Sequence, residues 1–163
     1  MNVLILMRHG KAVRDSEAPD DKSRDLTNRG RRQAAEAGIA LKAAGINPDR
    51  ILVSGAARTR QTYAALSGQF DAAPTFLDDL YMASAETVWN EAIRTGGEVV
   101  LVIGHNPGLQ ALAASLGAQS HDQSAAAKAL RQHLPTSAYA AFSIAGTRFD
   151  AAGPRLISVW SPP

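Results

Sequence analysis

A guanidinium and an imidazole stand side by side where the first apolar run of the chain stops: Val3 to Met7 passes directly into Arg8, His9 and Gly10. An imidazole near neutral pH serves as nucleophile or base, and an adjacent guanidinium holds an anion in its fork of donors. The triplet alone leaves three roles open for His9: nucleophile, base, or hydrogen-bonded residue at a strand exit. Comparable groups follow three later apolar runs. Arg58 comes after Arg50 to Val53, Asp79 after Thr75 to Leu77, and His105 after Glu98 to Ile103.

If those runs are parallel strands of one sheet, their ends meet in one crevice, because open α/β sheets bind ligands beyond the carboxyl ends of their strands. Two imidazoles, two guanidiniums and a carboxylate gathered there suit a dianion. A phosphoryl group spreads negative charge over three oxygens during transfer, so Arg8, Arg58 and a protonated His105 would bind it and stabilise its transition state. A neutral His9 would attack phosphorus in line and carry the group as phosphohistidine. The scheme calls for no metal and no cofactor. Arg24, in a charged loop after the first strand, is a further candidate to bind substrate. Asp79 is a candidate general acid, and reads equally as a charged strand end. Arg60 is expected to face solvent, because helix positions two apart point in different directions. His121 and His133 are isolated, and no pair has metal-ligand spacing.

The elements that must position these groups alternate between apolar strands and alanine-rich amphipathic helices. That order, βαβαβαβα with a β tail, predicts an α/β fold built on a mostly parallel sheet. Residues 14–25 read as a surface loop beside Arg8 and His9. Thr27 caps a helix from Asn28 to about Ala44 with Gly45 beyond its end, and Ser84 caps a later one through Val88, Trp89, Ala92 and Ile93. Asn106 and Pro107 have the types of an N-cap and a first helical residue, opening a helix that ends near Gly117. After a loop at 120–124, a short helix at 125–133 precedes strands at 138–144 and 155–160. Gly146 and Gly153 lie in their connection, which predicts a hairpin or paired edge.

At 163 residues, 45% of them hydrophobic, the chain is expected to form one domain, 1–163, with a proper core. Seventeen Lys and Arg against fifteen Asp and Glu give a net charge of +2, too mild for a nucleic-acid partner, and few aromatics offer a stacking surface. The absence of cysteine excludes disulfides, thiolate metal sites and a cysteine nucleophile. No basic segment precedes the first apolar run, which is far shorter than the roughly 20 residues of a membrane span, so a cytoplasmic protein without membrane association is expected. Neither Gly-x-Gly-x-x-Gly after the first strand nor a Walker motif is present, which disfavours dinucleotide binding and ATP hydrolysis.

Four segments carry a family resemblance. Leu6-Met7-Arg8-His9-Gly10-Lys11-Ala12 resembles the signature of the histidine phosphatase superfamily, also called phosphoglycerate mutase-like. Arg24-Asp25-Leu26-Thr27-Asn28-Arg29-Gly30, Val53-Ser54-Gly55-Ala56-Ala57-Arg58-Thr59-Arg60-Gln61-Thr62 and Val102-Ile103-Gly104-His105-Asn106-Pro107-Gly108-Leu109 are similar to further motifs in the family's order. Short length, Leu80-Tyr81 after Asp79, and Leu134-Pro135-Thr136-Ser137 resemble the SixA-like phosphohistidine phosphatases. Two positions depart from the pattern: Gly55 stands where proline is common, and Asp79 where larger members place a glutamate proton donor.

The resemblance implies a three-layer α/β/α sandwich, His9 as the phosphorylated nucleophile, Arg8 and Arg58 on the phosphoryl oxygens, and His105 as the second pocket histidine. Imidazole, with a pKa of about 6.5, departs with less help than an alkoxide, so a weak or missing acid favours a phosphohistidine substrate. The expected partner is a phosphorylated protein, such as a histidine phosphotransfer domain. Alternatives are a small phosphorylated metabolite, taken by a phosphomonoesterase of the same superfamily, and a non-catalytic module that binds phosphate or phosphoprotein.

Overall fold

Strands that are apolar on both faces need cover on both faces, and the helices provide it. In the computed structural model, which describes residues 1–120, 122–144 and 153–163, six strands form one sheet in the order β3-β2-β4-β1-β5-β6. These are β1 (Val3–Arg8), β2 (Arg50–Ser54), β3 (Pro74–Leu77), β4 (Val99–Gly104), β5 (Tyr139–Ser143) and β6 (Arg155–Trp160). β3, β2, β4 and β1 run parallel, while β5 is antiparallel to β1 and β6 to β5. The sheet is therefore mostly parallel with a paired tail, as the order of elements predicts. Of the glycines expected between β5 and β6, Gly153 has φ +61° and Gly146 lies outside the described residues, as does His121.

Alternate residues of the central strands enter two separate cores. Ile5, Met7, Val53 and Ile103 pack with Ala34, Ala37 and Leu41 of α1 (Asn28–Ala43) and Leu66 of α2 (Ala57–Leu66). Leu4, Leu6, Leu52 and Val102 pack instead with Val88 and Ala92 of α3 (Ala85–Arg94), Leu109 and Ala113 of α4 (Gly108–Gln119), and Leu130 of α5 (Ala125–Gln132). The result is the three-layer α/β/α sandwich. Small residues on α1 let it approach α2 closely: a Cβ on Gly38 would lie 2.8 Å from Leu66 Cβ. No helix among the described residues is long and apolar enough to cross a membrane.

The caps follow the sequence except at one helix. Thr27 and Ser84 accept from the backbone N–H groups of Gly30 and Thr87, as Ser/Thr caps do. α4, however, begins at Gly108, with Pro107 in the cap position and no side-chain cap bond. Asn106 is not the N-cap: its Nδ2 donates to Leu134 O at 3.2 Å, and the Asn106–Pro107 peptide is cis. Gly108 must be glycine-sized because Ala83 O would lie 1.9 Å from an added Cβ.

Close backbone contact explains two motif glycines. A Cβ on Gly10 would stand 2.8 Å from Gly30 O, and one on Gly30 only 2.3 Å from Lys11 O. Gly30→Ala is expected to cost about 1–3 kcal/mol by overpacking, lowering the thermal midpoint by several degrees. A melt monitored by circular dichroism checks this; an unchanged midpoint would show that the start of α1 moves freely away from Lys11.

Candidate active site

Parallel pairing of β1 with β4 sets Arg8 opposite Gly104, so the residues that follow each strand become neighbours. The rings of His9 and His105 lie with centroids 5.1 Å apart and planes tilted by 53°. The His9 backbone is fixed on both sides: its N–H donates to Gly104 O at 3.1 Å, and its carbonyl accepts from Ser137 N–H at 3.0 Å. Gly10 N–H donates to Thr62 Oγ1 at 2.9 Å, tying the turn to α2.

The bond to a carbonyl assigns the tautomer of His9. His9 Nδ1 lies 2.7 Å from Gly10 O, and since a carbonyl only accepts, Nδ1 carries the proton. Nε2 then holds the lone pair, which makes it the ring nitrogen able to act as nucleophile or base. His105 Nε2 lies 2.8 Å from Ser54 Oγ, while its buried Nδ1 has no protein partner. Where the Ser54 hydroxyl donates to Nε2, Nδ1–H is left as a donor; where Nε2–H donates to Ser54, Nδ1 is left as an acceptor. The Tyr81 ring meets the His105 ring nearly edge-on, with centroids 5.4 Å apart at 84°.

Burial, followed by the nearby Arg58 and Arg8 charges, pushes the His9 pKa down to about 4, although the bond to Gly10 opposes the shift. Burial, with His9 and Arg58 next in weight, pushes His105 down to about 3. His105 is thus neutral at pH 7 rather than protonated as the sequence reading expects. A neutral ring can offer an anion a hydrogen bond but no charge, which leaves the arginines as the cationic groups of the cavity.

Arg8 Nη1 donates to Leu134 O at 3.1 Å, while its buried Nε has no partner among the described residues. Arg58 is only 3% exposed. Asp21 grips its fork twice, the carbonyl accepting from Nη1 and Oδ2 accepting from Nη2 at 2.9 Å. Tyr81 OH donates to the same carboxylate oxygen, and Arg24 Nη1 donates to Oδ1 at 2.9 Å. Tyr81, Arg24 and Arg58 together hold the Asp21 carboxyl far below the usual carboxylate range.

Arg8, His9, Arg24, Arg58 and His105 all line one cavity of about 430 Å³, joined there by Asp21, Tyr81 and Met82. Arg24 faces the cavity but chiefly organises its loop, with Nε and Nη2 donating to Val13 O and Nη1 pairing with Asp15 and Asp21. Asp79 is not brought to this group. It sits exposed on the 3-10 turn Asp78–Leu80, outside the cavity lining. Asp21 and Tyr81 take part without having been singled out as site residues in the sequence. Among the described residues, no cluster of three His, Asp or Glu side chains is arranged to hold a metal.

The model of the histidine phosphatase superfamily (branch 1) matches residues 4–82. A solved structure from Nakamurella multipartitia, of a candidate phosphohistidine phosphatase SixA, is 33% identical with a TM-score of 0.83, over 99% of this chain and 96% of that one. The chain belongs to the histidine phosphatase superfamily. Within it the chain is SixA-like: the protein histidine phosphatase SixA, solved with tungstate, is 25% identical with a TM-score of 0.76, over 98% of this chain and 97% of that one. An uncharacterised Mycobacterium tuberculosis protein is 39% identical over 145 residues, 86% of this chain and 88% of the relative.

If His9 is the nucleophile of this histidine phosphatase, its depressed pKa predicts tolerance of acid. Corrected for substrate ionisation, kcat/KM should stay level from pH 7 to about pH 5 and fall only near pH 4, as the Nε2 lone pair is protonated. An acid limb centred near the ordinary histidine value of about 6.5 would show that burial does not govern the group.

Proposed function

We propose that the chain is a metal-independent, cytoplasmic, single-domain phosphatase that hydrolyses phosphohistidine on a protein through phospho-His9. The observation that carries this reading is the His9 ring, with Nδ1–H held by Gly10 O and the Nε2 lone pair left in a cavity lined by Arg8, Arg58 and His105. In the first half-reaction Nε2 forms a bond to phosphorus while the bond to the departing imidazole breaks. Arg8, the free N–H groups of Arg58 and Nδ1–H of His105 hold the oxygens that gain charge. Water then takes the phosphoryl group from His9 and releases phosphate. The tungstate in the SixA structure, a tetrahedral oxyanion, supports an oxyanion pocket in this chain as well.

The acid side of the chemistry supports the substrate class. Asp79 lies outside the cavity, and Asp21 has both carboxylate oxygens engaged. A site without a poised acid serves a leaving group that brings its own proton, and a phosphohistidine ring protonated on its other nitrogen departs as neutral imidazole. A histidine phosphotransfer domain presents such a group on a protein surface.

The test is to incubate the protein with a radiolabelled phosphohistidine peptide and, separately, with a generic phosphomonoester, then quench within the turnover time. An acid-labile, base-stable label and a higher kcat/KM for the peptide are expected. A higher kcat/KM for the monoester would assign a small-molecule phosphomonoesterase. Phosphate binding without turnover would assign a binding module, and loss of turnover on chelation would remove the metal-free scheme.

A further inference from the structure

We propose that phospho-His9 also passes its phosphoryl group to imidazole acceptors, making the cavity an imidazole-to-imidazole phosphotransfer site in which water is a competing acceptor. This rests on phospho-His9 forming as proposed above. The two acceptors differ in what they need. Water becomes a good nucleophile by losing a proton to a base, whereas neutral imidazole attacks with a lone pair it already has.

Among the described residues that line the cavity, none is placed as that base. His9 carries the phosphoryl group. His105 has Nε2 engaged by Ser54 Oγ, and burial holds its pKa at about 3, so the ring is a weak base for water. Asp21 accepts from Arg24 at Oδ1 and from Arg58 and Tyr81 at Oδ2. Tyr81 directs its own hydroxyl proton to that carboxylate.

The mouth of the cavity also suits a flat ring. Met82 is 50% exposed, lines the cavity beside Tyr81, and takes a left-handed backbone conformation with φ 51°. The branchless Met82 thioether offers an incoming ring a sulfur contact, beside a Tyr81 ring that already meets Lys22, Arg58 and His105. Ala83 O, seated against Gly108, holds the turn that carries Met82.

The transfer balances without any proton moving at the reacting atoms. The lone pair of the acceptor's pyridine-type nitrogen forms the new N–P bond as the bond from His9 Nε2 to phosphorus breaks and its electron pair returns to Nε2. The proton on His9 Nδ1 stays in its bond to Gly10 O, and the phosphorylated acceptor later releases its ring proton to solvent. Donor and product contain the same kind of bond, so the exchange is close to thermoneutral and runs in both directions.

The experiment supplies the wild-type protein with p-nitrophenyl phosphate and increasing imidazole, following nitrophenol by absorbance and N-phosphoimidazole and phosphate by phosphorus NMR. With imidazole, the ratio of nitrophenol to initially formed phosphate should rise above one, with N-phosphoimidazole making up the difference. Met82→Ala should lower the ratio of transfer to hydrolysis by about 2–10-fold, the range of a sulfur–ring contact. That ratio is set after the common intermediate, so slower phosphorylation of His9 does not change it. Equal nitrophenol and phosphate at every imidazole concentration would overturn the proposal and leave the phosphatase reading intact. Absence of an acid-labile label on the wild-type protein would overturn both.

Discussion

His9→Ala is expected to lower kcat for a phosphohistidine peptide by on the order of 10⁴-fold or more, the scale seen when a covalent nucleophile is removed. It should also abolish the acid-labile label. Loss on this scale follows because, among the described residues lining the cavity, no second side chain is poised to take over: His105 has Nε2 on Ser54 and a buried Nδ1, and Asp21 is gripped by Arg24, Arg58 and Tyr81. The fold should survive. The His9 side chain bonds only to the neighbouring Gly10 carbonyl, while its backbone bonds to Gly104 and Ser137 remain available to alanine. Rapid-quench turnover and a thermal melt on the same preparation separate these effects. Turnover that persists in the variant with a normal midpoint would remove His9 as the phosphoryl acceptor.

Sequence reading located His9, Arg8, Arg58 and His105 for a physical reason. Buried parallel strands are unbroken apolar runs, so the polar residue ending each run stands out, and the fold gathers those ends along one edge of the sheet. The same rule misplaced Asp79, because chain order does not reveal strand order. β3 is the edge strand, separated from β1 by β2 and β4, and Asp79 stays exposed beyond its end, outside the cavity lining. Arg58, on the first turn of α2 after the inner strand β2, does line the cavity. Tyr81 arrives because the chain turns back after the 3-10 turn toward the start of α4.

Asp21 was illegible for a different reason. It lies among Asp15, Glu17, Asp20 and Asp25 in one charged loop, and nothing local distinguishes it from them. Only the tertiary contact with Arg58 selects it, and a buried guanidinium needs a counter-charge that a surface arginine does not. The capping types at Asn106 and Pro107 misled for a related reason. The Leu134 carbonyl claims the asparagine side chain that local preference would assign to the helix. Leu134 O also accepts from Arg8, so one carbonyl of the late loop braces both strand ends.

Arg58→Lys is expected to lower kcat/KM by on the order of 10²-fold or more, although the positive charge is kept. Asp21 takes one hydrogen from each terminal nitrogen of Arg58, which orients the planar fork and leaves Nε–H and the other terminal hydrogens for phosphoryl oxygens. A lysine ammonium cannot reproduce two parallel bonds to Asp21 and also reach the anion in a fixed plane. Asp21→Asn tests the same arrangement from the other side: the guanidinium stays but loses its ionic partner, and a smaller loss of roughly 10-fold is expected. If Asp21 acts through Arg58, the double variant should lose little more than Arg58→Lys alone, because one removed interaction cannot be lost twice. Multiplicative losses in kcat/KM across the three variants would instead give Asp21 its own contact with the substrate.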